Sequence, residues 1–363
     1  MDAFFASIEQ AINPRLKDKP LIVGSRGSKM HTVVCAASYH AKALGIHSGM
    51  SSRDAFKICP SLEFVAASQA KYIWTSEQIF ELLKAFKLPL NYASIDEFQL
   101  DVSGVKNPVS LGKEAKEQIY ANFNITASVG LARNWLLAKL ASKLNKPDGL
   151  TFIDDSNLEQ TLQKAPLNKL CGMGGKTGQL FMDQGLKTCW DLYLRMPGFF
   201  EQNPGKFEEI NQKPKSISHS YTLPRTENNP QVIKAWIRLL SEMVGVRLRE
   251  QNLASKTVHL WLSGPEIGGF GAQKTAQIAT SDSYEIYSRC LKIALKLAQK
   301  RPRIRALGVT ASQLIFQDSP LLLIEEKRRE ALTKAFDRIN ARFGEGSIYP
   351  AQVEYTHSSK IGD

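Results

Sequence analysis

The chain has 363 residues, 43% of them hydrophobic, with a net charge of +12 and a pI near 9.4. That length exceeds what one core usually serves and points to two or more domains. No apolar run reaches the ~18 residues of a membrane span, and "MDAFFASIEQ" carries acids and no basic region, unlike a secretory signal.

In chain order, residues 1–10 read as the end of a strand running into a short helix. "KPLIVG" (19–24) and "HTVVCAASY" (31–39) read as strands, the second leading into the helical "HAKALG" and a stop at Gly45. Residues 70–88 form an amphipathic helix. A strand pair flanks Asp96–Glu97, then a helix at 109–122, the strand "ITASVGLA" (125–132) and a helix at 133–145 closed by "NKPDG". Strands alternating with helices imply an α/β domain around a mixed sheet. Residues 155–200 turn helical and short-looped. The segment 202–216 is polar and holds two prolines, and its second half reads as an interdomain linker.

Residues 217–318 follow the order βαββαβ: a strand at 217–223, a helix at 231–250, "KTVHLWLS" (256–263), a strand near 273–280, a helix at 284–300 and "RIRALGVTA" (303–311). Ile233, Trp236, Leu240 and Met243 share one face of the first helix. Ile286, Cys290, Ile293 and Leu297 share one face of the second. The expected result is a four-stranded sheet with both helices on one face and the other face free for a ligand. This region holds 14 Lys/Arg against 7 Asp/Glu, which concentrates the attraction for polyanions here. Lys292, Lys296 and Lys300 form a stripe on the exposed side of the second helix. Residues 325–343 read as a charged terminal helix, loosely packed or solvated.

The five cysteines, Cys35, Cys59, Cys171, Cys189 and Cys290, show no CxxC spacing. They read as reduced core thiols of a cytoplasmic protein.

Asp96 and Glu97 stand side by side in "YASIDEFQLDVS" (92–103). Neighbouring side chains of a strand point to opposite faces, but at a turn both acids can reach one metal cluster. Two ions about 3.5–4 Å apart would activate a hydroxyl and stabilise a leaving pyrophosphate. Tyr39 and Lys42, at i and i+3 near a helix start, and Lys139, Lys143 and Lys146 supply a phenol and amines suited to a triphosphate.

Five motifs in one order carry a resemblance: "MDAFFASIEQAINPRLKDKPLIVG", "CAASYHAKALGIHSGM", "YASIDEFQLDVS", "TASVGLARNWLLAKLASKLNKPDG" and "NKLCGMGGKTGQLFMDQGLKTCWDL". Together they resemble a Y-family translesion DNA polymerase of the DNA polymerase IV type, from Met1 to about residue 318. The resemblance implies an α/β (α+β) multidomain fold. Residues 1–10 and 68–153 would be the palm, 11–67 the fingers, 154–208 a thumb with a helix-hairpin-helix, 209–216 a linker, 217–318 the little finger and 319–363 a tail.

It implies template-directed, low-fidelity DNA synthesis with two Mg2+ ions held by Asp96 and Glu97, on primer–template DNA and dNTP, by a cytoplasmic monomer. Phe5 matches the steric gate that excludes a 2′-hydroxyl. Tyr39, Lys42 and Lys146 match triphosphate contacts, with Lys42 where arginine is common, so charge is kept and bidentate binding lost. Gly172, Gly174 and Lys176 match the DNA-phosphate site of the thumb. Lys292, Lys296, Arg303 and Arg305 are the basic little-finger candidates.

The family's third carboxylate would stand just ahead of Met1, and Asp2 is not expected to replace it, since residues two apart on a strand lie about 7 Å from each other. The favoured expectation is an enzyme whose first palm strand lies outside the chain as written. The alternative is an impaired, DNA-binding accessory protein of the same family. A cyclic-nucleotide synthase with a similar palm lacks its Gly-Gly signature here. The expected clamp-binding peptide is degenerate: "DSPLLLIEEKRR" offers Ser319 or Pro320 in place of glutamine, and "QLIF" (313–316) falls in a predicted strand. A sliding clamp therefore stands as a partner on weak sequence grounds.

Overall fold

The computed structural model describes residues 1–25, 29–30, 32–201, 214–295, 303–316, 324–344 and 346–358. The chain divides into two compact units, Met1–Glu209 and Ile210–Asp363. Each has its own apolar core, as its length requires.

The first unit opens with α1 (Phe4–Ile12), which buries Phe4, Ala6 and Ile8. The fully buried β1 (Leu21–Gly24) pairs antiparallel with β2 (Val34–Ala37) and parallel with β3 (Glu63–Ala66). α2 (Tyr39–Ala43) starts at Ser38, whose side chain accepts from the Ala41 N–H, and α3 (Ser52–Ile58) follows. α4 (Gln69–Lys84) leads to an antiparallel hairpin of β4 (Leu90–Ser94) and β5 (Glu97–Leu100). After α5 (Pro108–Phe123), β6 (Val129–Ala132), α6 (Trp135–Leu144) and β7 (Leu150–Ile153) form a parallel βαβ unit. The helices α7 (Leu158–Lys164), α8 (Gly175–Asp183), α9 (Cys189–Arg195) and α10 (Pro197–Glu201) complete the unit.

The expected mixed sheet is distributed over three small sheets, β2-β1-β3, β4-β5 and β6-β7. Between the last two, the backbone at Met1–Asp2 supplies single bonds: Met1 N to the Asp96 carbonyl at 2.6 Å and Asp2 N to the Thr126 carbonyl at 3.1 Å. The strand expected over "ITASVGLA" is ladder only from Val129. Ile125 and Ala127 before it are buried in the core beneath α1 and α4. β3, β7 and α3 were not expected, and Lys146 lies just past the end of α6.

In the second unit β8 (Ser216–Glu227), β9 (Leu253–Gly264), β10 (Gly268–Thr280) and β11 (Ile304–Phe316) form one antiparallel sheet in the order β10-β9-β11-β8. α11 (Pro230–Glu250) and α12 (Ser283–Ala294) cover one face. Trp236, Leu240, Ile286, Cys290 and Ile293 pack on Val258, Leu260, Leu307 and Val309. Alternation puts Ser218, Ser220, His259, Trp261, Thr310 and Gln273 on the open face. Leu297, expected on the same stripe, lies outside the described residues, as do Lys296, Lys300, Ser319, Pro320 and part of the expected linker. "QLIF" (313–316) closes β11 against Leu253–Ser255.

The terminal helix, α13 (Ile324–Phe343), has no buried side chain among the described residues, as expected of a solvated helix, and is anchored at one point, where Arg249 from α11 donates to Asp337 through Nε at 2.7 Å and Nη2 at 2.8 Å. The following α14 (Tyr355–Ser358) and the turn before it pack on α11, with Val353 and Thr356 buried. The cysteines are free thiols among the described residues. Only Cys59, Cys189 and Cys290 are buried; Cys35 is exposed and Cys171 half-buried, which corrects the expectation that all sit in a core. Burial pushes the Cys189 and Cys290 thiols up to about 12. No helix among the described residues is long and apolar enough to cross a membrane.

Gly130 on β6 lets α6 approach closely: a Cβ there would meet the Ala138 carbonyl oxygen at 1.9 Å. Gly130→Ala therefore forces strand and helix apart. Thermal melting should show a loss of about 1–3 kcal/mol; an unchanged melting temperature would mean that this contact relaxes without cost.

Candidate active site

The β4–β5 turn presents the acidic pair. Its register slips between Tyr92 and Ser94, so that Ser94 faces Glu97 and Asp96 occupies the bend. Each acid then has its own partner. Ser94 Oγ donates to Asp96 Oδ1 at 2.9 Å. Lys139 Nζ, from α6, donates to Glu97 Oε2 at 2.6 Å in a pair whose side chains are 23% and 29% exposed. The adjacent negative charges are thereby held apart and one is compensated directly.

Phe5, on the first turn of α1, stacks on Tyr72 with ring centroids 4.1 Å apart and planes 10° from parallel. Tyr72 is fully buried and donates its hydroxyl to Glu9 Oε1 at 2.7 Å, and Lys71 completes the clasp at 2.8 Å from Glu9 Oε2. Burial, reinforced by Glu9, pushes the Tyr72 phenol up. The Phe5 ring is thus fixed from behind. A pocket of about 330 Å3 lies in front of it, lined among others by Cys35, Lys42, Asp96 and Lys146. A larger cavity of about 600 Å3 adjoins at Met1, Asp96 and Lys146 and extends along Glu97–Leu100 and Val129–Ala132.

Lys42 Nζ sits 4.5 Å over the Tyr39 ring, as their i, i+3 spacing implied. Lys146 Nζ donates to the Met1 carbonyl at 3.3 Å and lies 3.6 Å from Asp2 Oδ1. Desolvation, then the charge of Lys146, push the Lys42 amine below the ordinary lysine range, and Asp2 opposes this. Desolvation, then the charge of Asp2 and a hydrogen bond to it, push the Tyr39 phenol up. The pocket wall thus carries crowded positive charge in need of an anion.

The donors present suit a hard divalent cation. Mg2+ is commonly held by one or two carboxylates, with water and substrate phosphates completing its shell, and Asp96 and Glu97 supply the carboxylates. Among the described residues no group of three or more His, Cys, Asp or Glu is placed to hold a metal. The pair fits one ion completed by substrate and solvent oxygens; a second ion needs donors beyond these two.

Phe5, Lys42, Asp96 and Lys146 meet around one pocket; Tyr39 lies against Lys42 without lining the pocket, and Glu97 lines the adjoining cavity. Gly172, Gly174 and Lys176 lie elsewhere in the same unit. Gly172 has φ 83, Gly174 caps α8, and Lys176 is exposed in its first turn, an arrangement with free N–H groups for an anion. In the second unit, Lys292 is exposed on the helix layer, so it and the open face of the sheet look in opposite directions. Arg303 is engaged by Glu266, and Arg305 is half-buried. Arg238, Arg249 and Arg289 pair with Glu242, Asp337 and Glu285, so part of the basic excess here is internal. Sequence reasoning left Ser128 out, gave Asp2 no role and placed Lys139 only generally; the long-range contacts of these residues have no local signature.

Comparison with known proteins shows the family. A model described as the impB/mucB/samB family matches residues 1–143, and that of the family's C-terminal domain matches residues 214–322. A DNA polymerase IV of Desulfatibacillum aliphaticivorans is 31% identical, covering 97% of this chain and 95% of the relative. One from Streptococcus pneumoniae serotype 2 (strain D39 / NCTC 7466) is 32% identical over 85% of this chain and 94% of its own. Among solved structures, a Y-family DNA polymerase chimera aligns with a TM-score of 0.74 at 23% identity, covering 87% of this chain and 98% of that one. The chain belongs to the impB/mucB/samB family and is a Y-family DNA polymerase of the DNA polymerase IV type.

Proposed function

We propose that the chain carries out template-directed, low-fidelity DNA synthesis past lesions, by nucleotidyl transfer at the Asp96–Glu97 pair. The observation that carries this reading is the convergence of Phe5, Lys42, Lys146 and Asp96 on one pocket of about 330 Å3, a volume within the usual ligand range. In the reaction a primer 3′-oxygen attacks the α-phosphorus of a dNTP, the bond to pyrophosphate breaks, and the hydroxyl proton passes to solvent. A divalent ion at Asp96 and Glu97, Mg2+ by the chemistry of its donors, would supply charge stabilisation for both oxygens. Tyr39, Lys42 and Lys146 would hold the triphosphate, and Lys139 would keep Glu97 in place until the cation arrives. The fixed Phe5 ring would lie under the sugar and reject a 2′-hydroxyl by contact.

In this assignment residues 1–10 and 68–153 act as palm, 11–67 as fingers, 154–208 as thumb and 217–318 as little finger. The α8 N-terminus with Gly172, Gly174 and Lys176 would take a DNA phosphate. Lys292, Arg303 and Arg305 would add backbone contacts, Arg303 only by releasing Glu266.

A second reading, a DNA-binding relative with impaired catalysis, draws support from one observation: no third carboxylate joins Asp96 and Glu97 among the described residues. Primer extension with Mg2+ separates the two. Asp96→Ala should lower extension about a hundredfold or more while DNA affinity stays within a few-fold. Equal extension by the unaltered chain and the variant, with DNA bound by both, would instead support the impaired relative.

Phe5→Ala removes the ring while Tyr72 and Glu9 stay. The ratio of ribonucleotide to deoxyribonucleotide incorporation should rise by roughly tenfold or more. An unchanged ratio would make the ring part of the core and nothing else.

A further inference from the structure

Asp2 has a fully buried side chain, although a carboxylate is costly to bury without partners on both oxygens. Donors reach it from separate parts of the first unit. Ser128 Oγ, just before β6, lies 2.8 and 3.0 Å from its two oxygens. The Asp148 N–H, on the way to β7, donates to Oδ2 at 2.9 Å. Lys146 Nζ stands 3.6 Å away, and the Tyr39 phenol of α2 lies near enough for the Asp2 charge to push it up, after desolvation. Asp2 is turned inward by Ala3, whose φ of 45° is a left-handed conformation that alanine adopts at a cost. Backbone strain next to a buried charge indicates that the surrounding structure holds this carboxylate in place.

Ser128 and Asp148 lock the carboxylate. Lys146 and Tyr39 are side chains assigned above to the triphosphate. Asp2 itself does not line the pocket, whereas Lys146 does. Its charge therefore acts from behind the wall, and with both oxygens engaged it is not free to join Asp96 and Glu97.

We propose that Asp2 is a positioning residue for nucleotide binding: its buried carboxylate holds the Lys146 amine, and the neighbouring Tyr39 side chain, in place for the triphosphate. It also offsets the repulsion between Lys42 and Lys146 while the pocket is empty. The inference rests on the reading of Tyr39 and Lys146 as triphosphate contacts.

The test uses the full chain bound to a primer–template whose primer ends in a dideoxynucleotide, so that binding is read without chemistry. The correct dNTP is titrated with Mg2+ present, and DNA affinity and melting temperature are measured alongside. Asp2→Asn keeps the shape and an acceptor for the Asp148 N–H but removes the charge. It should weaken dNTP binding roughly tenfold or more and leave DNA affinity within about twofold. Tyr39→Phe and Lys146→Met should also weaken dNTP binding. In the combined Tyr39→Phe, Lys146→Met background the further effect of Asp2→Asn should shrink to less than about threefold, the non-additivity expected of coupled groups. A purely structural role would add in full.

Should Asp2→Asn fail to fold, Ser128→Ala serves instead: it loosens the carboxylate, keeps the charge, and should weaken dNTP binding a few-fold. Unchanged dNTP affinity in Asp2→Asn, or in Ser128→Ala where that is the variant used, overturns the proposal, as does full additivity in the cycle. If Tyr39→Phe and Lys146→Met also leave dNTP affinity unchanged, the assignment of the pocket to a triphosphate falls with it.

Discussion

The burial of one carboxylate organises the first unit. Asp2 sits near the β4–β5 hairpin, the entry to β6, the loop beyond α6 and the start of α2, and hydrogen bonds tie the first three of these to it or to its neighbour Met1, which donates to Asp96. A buried negative charge tolerates little displacement, because any donor that moves away leaves it unsatisfied. The elements that carry Lys146, Tyr39 and the Asp96–Glu97 turn are consequently held at fixed distances from one another, although they belong to different small sheets and helices.

The chemistry builds on that frame by pairing unlike charges. Lys139 compensates Glu97, Asp2 compensates the Lys146 ammonium, and Glu9 with Lys71 braces Tyr72 beneath Phe5. Lys42 is left with a neighbouring like charge and some desolvation, which lower its pKa. In the proposed function, a triphosphate beside it would supply the missing anion, and a divalent ion would be held by Glu97 in competition with Lys139. Cation and nucleotide each lessen a strain the other leaves, so they would favour arriving together. Phe5 differs in kind: it needs no charge, only a rigid flat surface, and Tyr72 provides the rigidity.

Much of this was legible along the chain. The βαββαβ order of residues 217–318 follows from hydrophobic spacing alone, and the structure shows the expected four strands with α11 and α12 on one face. The i, i+3 relation of Tyr39 and Lys42 is a helix property and appears as a direct contact. The short strands β3 and β7 escaped because half-buried four-residue segments carry little pattern of their own, whereas β1, of the same length, is apolar and buried throughout. The partners of Asp2 and Glu97 escaped for another reason: Ser128 is 126 residues from Asp2 and Lys139 is 42 from Glu97. Only the folded chain brings them together. The tail helix read as solvated because its composition is charged, and it is, although one of those charges, Asp337, pairs with the half-buried Arg249.

The central claim is that the pocket before Phe5 is where a dNTP meets the acidic pair. The most direct measurement is an experimental structure of the chain with primer–template DNA, Mg2+ and a dNTP analogue that cannot react. The account predicts the sugar over Phe5, the phosphates against Tyr39, Lys42 and Lys146, and Mg2+ touching Asp96 and Glu97 with the Lys139 contact loosened. A nucleotide bound elsewhere, or phosphates that leave Lys42 and Lys146 untouched, would contradict it.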